Sequence, residues 1–284
     1  MKKTNRLLEF WKQFRKNKGA MFGLFLLIAI IAIAVAASFL WDYKTDIVGM
    51  HSSERLQYPN PAHWLGTDHM GRDVLARVCY GARYSLLIGF MAVLVSLVFG
   101  VSIGTVAGYY GGKIESVIMR IVELFLMIPC VLITIIFVSV FGANMVNLII
   151  ALGMSTIPHF ARNARASILS VRDNEYVEAA KAIGTNDFII MFGHVLPNAF
   201  SPSLVQATTR IASVIIDAAA FSFIGLGVPA PIPEWGAMLS DARQYLREYP
   251  NLSIAPGVAI VLTVLAVNLI GDGIRDALDP KMKR

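Results

Sequence analysis

The sequence predicts an all-α protein that crosses a membrane six times, and three observations carry that prediction. Hydrophobic residues make up 56% of the 284 residues and charged residues only 15%, whereas a soluble domain carries about a quarter charged residues. The mean hydropathy is +0.62, and long uncharged runs recur along the chain. This composition excludes a disordered chain. The two cysteines, Cys79 and Cys130, are too few for a disulfide framework or a four-cysteine zinc site.

The predicted spans are runs of roughly 20 mostly apolar residues, the length that crosses the hydrocarbon core of a bilayer. One long apolar run is divided in two by a turn at Gly142-Ala143-Asn144. The fifth span is interrupted by two ionisable residues, Arg210 and Asp217. The six predicted spans cover residues 19–41, 84–112, 114–140, 145–164, 200–228 and 249–271.

The distribution of positive charge predicts which side of the membrane each loop faces. With the N-terminus in the cytoplasm, 17 of the 25 Lys and Arg residues lie in inside segments and 7 in outside segments. Cytoplasmic loops carry such an excess of positive charge. We therefore expect both termini in the cytoplasm. The net charge of +6 reflects membrane orientation and does not indicate a nucleic-acid surface.

The first 19 residues predict an amphipathic helix that lies on the membrane surface before the first span. Leu7, Phe10, Trp11 and Phe14 share one helical face, with basic residues between them. A cleaved signal peptide is the alternative interpretation. Its apolar region would be too long, and the segment 34–36 is a weak cleavage match inside an apolar run.

A glycine stripe within the second span predicts close helix packing. Gly100, Gly104 and Gly108 recur every four residues, and small residues at that spacing let two helices approach closely. Packing within the same bundle is the simpler interpretation of this stripe.

The usual catalytic and nucleotide-binding motifs are absent from the sequence. Gly112-Lys113 is followed by Ile114, so no phosphate-binding loop is present. The metalloprotease motif H-E-x-x-H and the hydrolase motif G-x-S-x-G are also missing. The segment 225–230 formally fits the dinucleotide fingerprint, but it ends a span and runs into three prolines. The five histidines do not cluster at ligand spacing within a span, so we predict neither a metal site nor an enzyme.

The longest predicted inside segment, residues 165–198, predicts two short amphipathic helices on either side of a glycine. Asp173 is expected to cap the first helix and Gly184 to stop it. Pro197 is expected to end the second helix before the fifth span. The pattern fits a docking element for another protein or a helix on the lipid surface. The candidate caps of the second helix are Thr185 and Asn186.

This segment also carries a resemblance to a known family. Glu178-Ala179-Ala180, Gly184 and Leu196-Pro197 match the E-A-A-x3-G-x9-I-x-L-P motif of ABC importer permeases, with His194 in place of the isoleucine. The chain resembles the branch that includes the dipeptide, oligopeptide and nickel importers, and it is similar to the C-type member of their permease pair. The resemblance covers nearly the whole chain. Further matching segments are residues 66–83, 221–239 and 268–280.

The resemblance implies the type I ABC importer permease fold in a multi-pass protein of a prokaryotic inner membrane. It divides the chain into a cytoplasmic interfacial helix, a first transmembrane helix, an extracytoplasmic loop with an amphipathic helix, a permease core of five spans and a cytoplasmic tail. The corresponding residues are 1–19, 20–41, 42–83, 84–275, with the coupling loop at 165–198, and 276–284.

The resemblance also implies partners. They are a second homologous permease subunit, two ATPase subunits, an extracytoplasmic substrate-binding protein and the surrounding membrane lipid, and nucleic acid is not among them. ATP and magnesium belong to the ATPase subunits, so we expect no cofactor in this chain. The residues that the resemblance assigns to ATPase coupling are Glu178, Ala179, Ala180, Gly184, Leu196 and Pro197.

The ionisable residues of the fifth span are candidates for the translocation pathway. Charged groups within a span are costly and usually face a water-filled path or a partner. Arg210 and Asp217 lie two helical turns, or about 10 Å, apart, so a direct ion pair is not expected. Asp217, with Ser213 and Arg210, is therefore predicted to line the pathway or a gate. A structural contact between helices is the alternative.

Two outer segments are candidates for contact with the substrate-binding protein. Residues 66–83 are expected to form a loop and an amphipathic helix that either Asp68 or Asp73 caps. A Pro-rich loop follows the fifth span. A lid packed on the membrane surface is the alternative for both segments. The candidate contact residues are Asp68, Arg72, Asp73, Glu234 and Trp235.

Three other functions compete with peptide import. The first keeps the mechanism but carries nickel or a metal chelate, and the missing histidine clusters count against a bare metal ion. The second is a secondary transporter that works alone, which would show inverted repeats or broken helices. It would leave the docking segment unexplained. The third, an intramembrane enzyme, lacks a nucleophile, base or metal motif.

Overall fold

The computed structural model describes residues 6–278, a helical bundle with one isolated bridge, between Thr67 and Asp73, and no strand within that range. Lys2, Lys3, the side chain of Leu7 and the predicted tail beyond residue 278 lie outside the described part. The helices are α1 Arg6–Lys16, α2 Lys18–Leu40, α3 Val74–Tyr110, α4 Gly112–Met127, α5 Cys130–Phe141, α6 Met145–Leu169, α7 Glu175–Ala182, α8 Asp187–Ile189, α9 Leu196–Ala199, α10 Ser201–Phe223, α11 Trp235–Ala242 and α12 Asn251–Leu278.

The membrane-crossing helices differ from the predicted set of six spans. Within residues 6–278, four helices are long and apolar enough to cross a membrane, namely α2, α3, α10 and α12. The predicted span 114–140 is wrong as a single helix, because α4 and α5 meet at a bend of 85°. Pro129, whose ring cannot continue the α4 helix, lies at that break. Counted as one broken span, this pair brings the number to five, and α6 is not among the helices of residues 6–278 that qualify.

The pair α3 and α6 forms the centre of the bundle. A Cβ atom on Gly104 would lie 2.3 Å from the carbonyl oxygen of Ala161, so only glycine permits this approach of the two backbones. Gly100 and Gly108 face α6 in the same way. The glycine stripe therefore serves packing within the bundle, as predicted.

Helix α1 packs against the end of α12. Phe14 is 4% exposed and lies in a cluster with Ala20 and Ala277. The Asn17 side chain caps α2 by accepting from the Ala20 amide and donates a 2.8 Å hydrogen bond to Asp276. Because α3 runs back along α2, the C-terminus of α3 lies toward this end of the bundle, which we call the α1 end.

The opposite end of the bundle is covered by the loop after α2 and by α11. Residues 66–83 form the predicted loop and then a helix, but this helix is not distinct from the second span, because α3 begins at Val74 and continues unbroken to Tyr110. Asp73 caps α3 by accepting from the Ala76 amide at 2.8 Å, which settles the choice between the two predicted caps. Asp68 instead pairs with the buried Arg72.

Candidate functional site

The segment 165–198 lies at the α1 end and begins with helix α7. The predicted cap Asp173 is wrong, because the N-cap residue is Asn174, which makes no side-chain capping bond. The end of α7 is as predicted: Gly184 has φ +76°. The Gly184 amide donates to Lys181 O at 3.0 Å and the Thr185 amide donates to Ala180 O at 3.1 Å. These two bonds form a Schellman motif, which satisfies the last carbonyls of the helix.

One face of α7 is anchored to the bundle. Val177 is fully buried and Ala180 is 9% exposed, and both pack in a cluster with Tyr109 of α3 and Ile168 of α6. The Tyr109 hydroxyl also donates to Asp187 in α8 at 2.7 Å. Helices α7 and α8 are therefore attached to the ends of both central helices.

The other face of the segment is exposed and apolar. Ile183 is 82% exposed and Phe188 is 65% exposed. Large apolar side chains exposed together commonly mark a protein or membrane contact. The remaining exposed members of this surface, which we call the docking face, are Tyr176, Glu178, Ala179 and Ile189.

The predicted pair Ala179 and Ala180 is divided between the two faces. Ala179 is exposed, whereas Ala180 packs inward on α3 and α6. Ala180 therefore acts on any docked partner only through the position of the helix.

The second half of the segment continues further than predicted. After α8 the chain forms a π-helical stretch, Ile190–Val195, which leads into α9. Pro197 does not end the helix. It lies in the first turn of α9, directly after the π-helical stretch. Leu196 is half-buried against the core, and Pro197 is exposed.

Two arginines fasten the segment to the bundle. The Arg172 guanidinium donates to Gly108 O, near the end of α3, at 2.8 Å. Arg165 of α6 forms an ion pair with Glu115 of α4. A cation at a helix C-terminus is favourable because it meets the negative end of the helix dipole.

The pathway candidates lie on one side of α10. Ser213 is exposed, and Arg210 and Asp217 are half-buried. No ion pair joins the two charged residues within the described part of the chain, in agreement with their predicted separation. The exposed side of α10 is therefore polar in its middle, which is unfavourable against lipid tails.

Three of the predicted contacts with a binding protein are buried. Arg72 is 3% exposed, and Glu234 and Trp235 are each 1% exposed. They hold the structure together and do not present a contact surface, which corrects that expectation. Asp68 and Asp73 are partly exposed.

Glu234 instead organises the segment around α11. Its carboxylate accepts from the Gly236 and Ala237 amides at 2.9 Å each and from the Ser85 hydroxyl at 3.2 Å. Burial raises the pKa of Glu234, although these hydrogen bonds act in the opposite direction. The Trp235 indole N–H donates to Val78 O at 3.0 Å.

Sequence reasoning missed the polar contacts between helices. Asn163 of α6 donates to Gln206 of α10 at 2.7 Å. Ser96 of α3 donates to Gly153 O at 2.9 Å and contacts the Thr156 hydroxyl. The signal was the presence of single polar residues within otherwise apolar runs. Within residues 6–278, no group of three or more His, Cys, Asp or Glu side chains is placed so that it could hold a metal ion.

The fold is that of ABC importer permeases. The inward-facing methionine transporter MetNI superposes on the chain with a TM-score of 0.58 at 20% identity, covering 72% of this chain and 97% of that one. A chain of an amino acid ABC transporter gives a TM-score of 0.53 at 19% identity, covering 71% of this chain and 94% of that one.

Residues 100–284 match the family described as the binding-protein-dependent transport system inner membrane component, and the chain belongs to that family. Residues 6–59 match the N-terminal transmembrane domain of oligopeptide transport permease C.

Two full-length relatives extend this likeness over nearly the whole chain. The dipeptide transport system permease protein DppC of Alkalihalophilus pseudofirmus is 45% identical over 275 residues, 97% of this chain and 90% of that protein. The glutathione transport system permease protein GsiD of Pectobacterium atrosepticum is 44% identical over 277 residues, which cover 97% of this chain and 91% of that protein. The chain is thus a multi-pass membrane permease that works with other ABC transporter components.

Proposed function

We propose that this chain and a second homologous permease form the pathway for ATP-driven import of di- and oligopeptides. The observation that carries the proposal is the two-sided segment 165–198. One side is anchored to α3 and α6, and the other side exposes apolar residues. This is the construction that a lever between an ATPase and the membrane helices requires.

The proposed mechanism follows from that attachment. An ATPase subunit binds the docking face around Ile183 and Phe188. Closure of the two ATPases displaces α7, and the buried contacts of Val177 transmit the displacement to α3 and α6. The spans then move between inward-open and outward-open states, because a packed core shifts between discrete arrangements.

The partner subunits supply what this chain does not. ATP and magnesium bind to the ATPase subunits, where hydrolysis takes place. The protein lies in a prokaryotic inner membrane, with both termini and the docking face in the cytoplasm. An extracytoplasmic binding protein delivers the cargo at the end of the bundle that carries α11, near Asp68 and Asp73.

The peptide cargo is supported by two independent considerations. The relatives with 44% and 45% identity are named for glutathione and dipeptide transport. In addition, a peptide carries an amine cation and a carboxylate, and Asp217 and Arg210 offer one charge of each sign on the exposed side of α10. Transport by this chain alone would leave the docking face without a role.

The docking face is tested by Ile183→Asp in the complete transporter. Ile183 is 82% exposed, so the change leaves the fold intact but places a charge in an apolar interface. We expect ATPase recovery on co-purification and dipeptide uptake to fall by about tenfold or more, with unchanged insertion into the membrane.

The matched control is Leu246→Asp, the same kind of change at a 49% exposed position near α11. It should retain ATPase recovery, because it lies at the end of the bundle away from the docking face. Normal ATP-dependent uptake by the Ile183 variant would refute the docking role. Uptake of a nickel chelate but not of a dipeptide by the unmodified transporter would refute the cargo.

A further inference from the structure

A lateral groove between α2 and α3 combines an apolar lining with one arginine. It has a volume of about 490 Å³, within the range of small-molecule sites. Arg83 is the one charged residue in its lining. The apolar lining includes Ile31, Val35, Phe39, Leu86, Leu87 and Phe90.

Arg83 is held rigidly at this groove. Its Nε donates to Tyr80 O at 3.1 Å, and its Nη2 donates to Ser38 Oγ at 2.6 Å and to Ala34 O. The guanidinium carbon lies 3.7 Å from the centre of the Tyr80 ring. These contacts fix the plane of the guanidinium and occupy Nε and Nη2, so that Nη1 remains to donate to an anion.

The charge on Arg83 is not neutralised within residues 6–278. No carboxylate forms an ion pair with it in that range, and Nη1 makes no hydrogen bond there. An arginine charge facing lipid is costly unless an anion pairs with it. The groove therefore has electrostatic complementarity to an anionic group and apolar complementarity to a hydrocarbon chain.

The aromatic residues around Arg83 are those expected at the level of the lipid headgroups. Three tyrosines cluster beside it, with ring centres 5.4 Å apart for Tyr43 and Tyr80 and 6.2 Å apart for Tyr80 and Tyr84. Trp41 is the C-cap residue of α2, two positions before Tyr43 in the chain. Tyrosine and tryptophan concentrate at the membrane–water interface, whereas the apolar lining of the groove continues toward Phe90, into the span.

We propose that this groove binds one anionic phospholipid, whose phosphate pairs with Arg83 and whose acyl chain lies between α2 and α3. The bound lipid would fasten α2 to the rest of the bundle at the end away from α1. The binding is independent of the cargo and of the docking face.

The test measures lipid binding by native mass spectrometry of the complete, delipidated transporter. The probes are short-chain phosphatidylglycerol, phosphatidylcholine with the same chains, and inorganic phosphate. We expect one phosphatidylglycerol per copy of this chain. Arg83→Gln should weaken it by about tenfold, the loss expected for one charge-assisted contact. Leu87→Trp, which fills the groove but keeps Arg83, should weaken it similarly.

Matched controls are Arg247→Gln, which removes an exposed charge at the same end, and Val261→Trp, which adds a ring at a 63% exposed position on α12. Neither should change the binding. Equal affinity for phosphatidylcholine would overturn the proposal, as would binding that both groove variants leave unchanged. Full competition by inorganic phosphate would also overturn it, because the site would then bind an anion without needing an acyl chain. If the complete transporter binds no phosphatidylglycerol because the second permease covers the groove, the proposal is also refuted.

Discussion

Gly184 illustrates how a single residue sets the direction of the docking face. With φ +76°, it turns the chain after α7 so that Ile183 and Phe188 are both exposed. A Cβ at this position would meet no atom within 4 Å. The need for glycine is therefore conformational and not steric.

We expect Gly184→Val to lower ATP-dependent transport and Gly184→Asn to retain most of it. A β-branched residue is strained in the left-handed region, at a cost of about 1–2 kcal/mol, whereas asparagine visits that region readily. Uptake measured at equal membrane levels checks this expectation. Equal uptake by the two variants would show that the turn does not matter.

Glu234 is a residue whose role depends wholly on its surroundings. It caps α11, and its side chain is buried at the contact between α11 and Ser85 of α3. Its removal should therefore loosen the end of the bundle away from α1 without touching the docking face.

Glu234→Ala should destabilise the protein by about 1–2 kcal/mol through the lost cap, and Glu234→Gln by less. Because burial raises the pKa of Glu234 in the folded state, its contribution to stability is largest at low pH and is lost as the pH rises from the unfolded pKa through the folded pKa. Thermal unfolding in detergent should show that wild type loses stability relative to Glu234→Gln as the pH rises above about 4.5, the ordinary pKa of a glutamate. A pH-independent difference would contradict this assignment.

At the scale of elements, the contact between α3 and α6 dominates. Three glycines bring the two backbones together, and the hydroxyls of Ser96 and Thr156 add a polar contact between the same helices. In a membrane, close packing and such contacts hold helices together, because lipid is as apolar as the helices themselves.

Gly104→Leu should separate α3 from α6, since even a Cβ would approach Ala161 O to 2.3 Å. Overpacking of this kind costs about 1–3 kcal/mol or more. We expect a lower yield of folded protein on size-exclusion chromatography. The control, Gly257→Leu, changes a helical glycine of α12 that has open space around it. An equal yield from both variants would argue against the packing role.

At the scale of the whole molecule, the exposed side of α10 is the candidate pathway. Ser213 is exposed on it, beside the half-buried Arg210 and Asp217. In the assembled transporter this side should face water and the second permease, because a polar strip is unfavourable against lipid.

Ser213→Cys, introduced after replacement of Cys79 and Cys130, should react with a membrane-impermeant thiol reagent in the assembled transporter. Phe25→Cys, at a 72% exposed apolar position of α2, should react much more slowly, because a thiolate forms poorly in lipid. Mass spectrometry of the labelled protein measures both rates. Similar slow labelling at the two positions would place α10 against lipid.

Local signals predicted a large part of this protein correctly. Apolar run length marked α2, α3, α10 and α12, since about 20 apolar residues suffice to define a span. Gly184 marked a helix stop, and Asp73 was one of two candidates for a helix start, because caps depend on the conformation of a few adjacent residues. The motif around Glu178 indicated the family to which the chain belongs.

Other features were decided only by the tertiary structure. The 85° bend between α4 and α5, the continuity of α3 and the burial of Arg72, Glu234 and Trp235 did not follow from the sequence pattern. The burial of Glu234 depends on contacts between residues far apart in the chain, such as the hydrogen bond from Ser85. The local sequence around a charged residue does not show whether that residue lies on a surface or in a core. Only the packing of distant helices determines which of these environments the residue occupies.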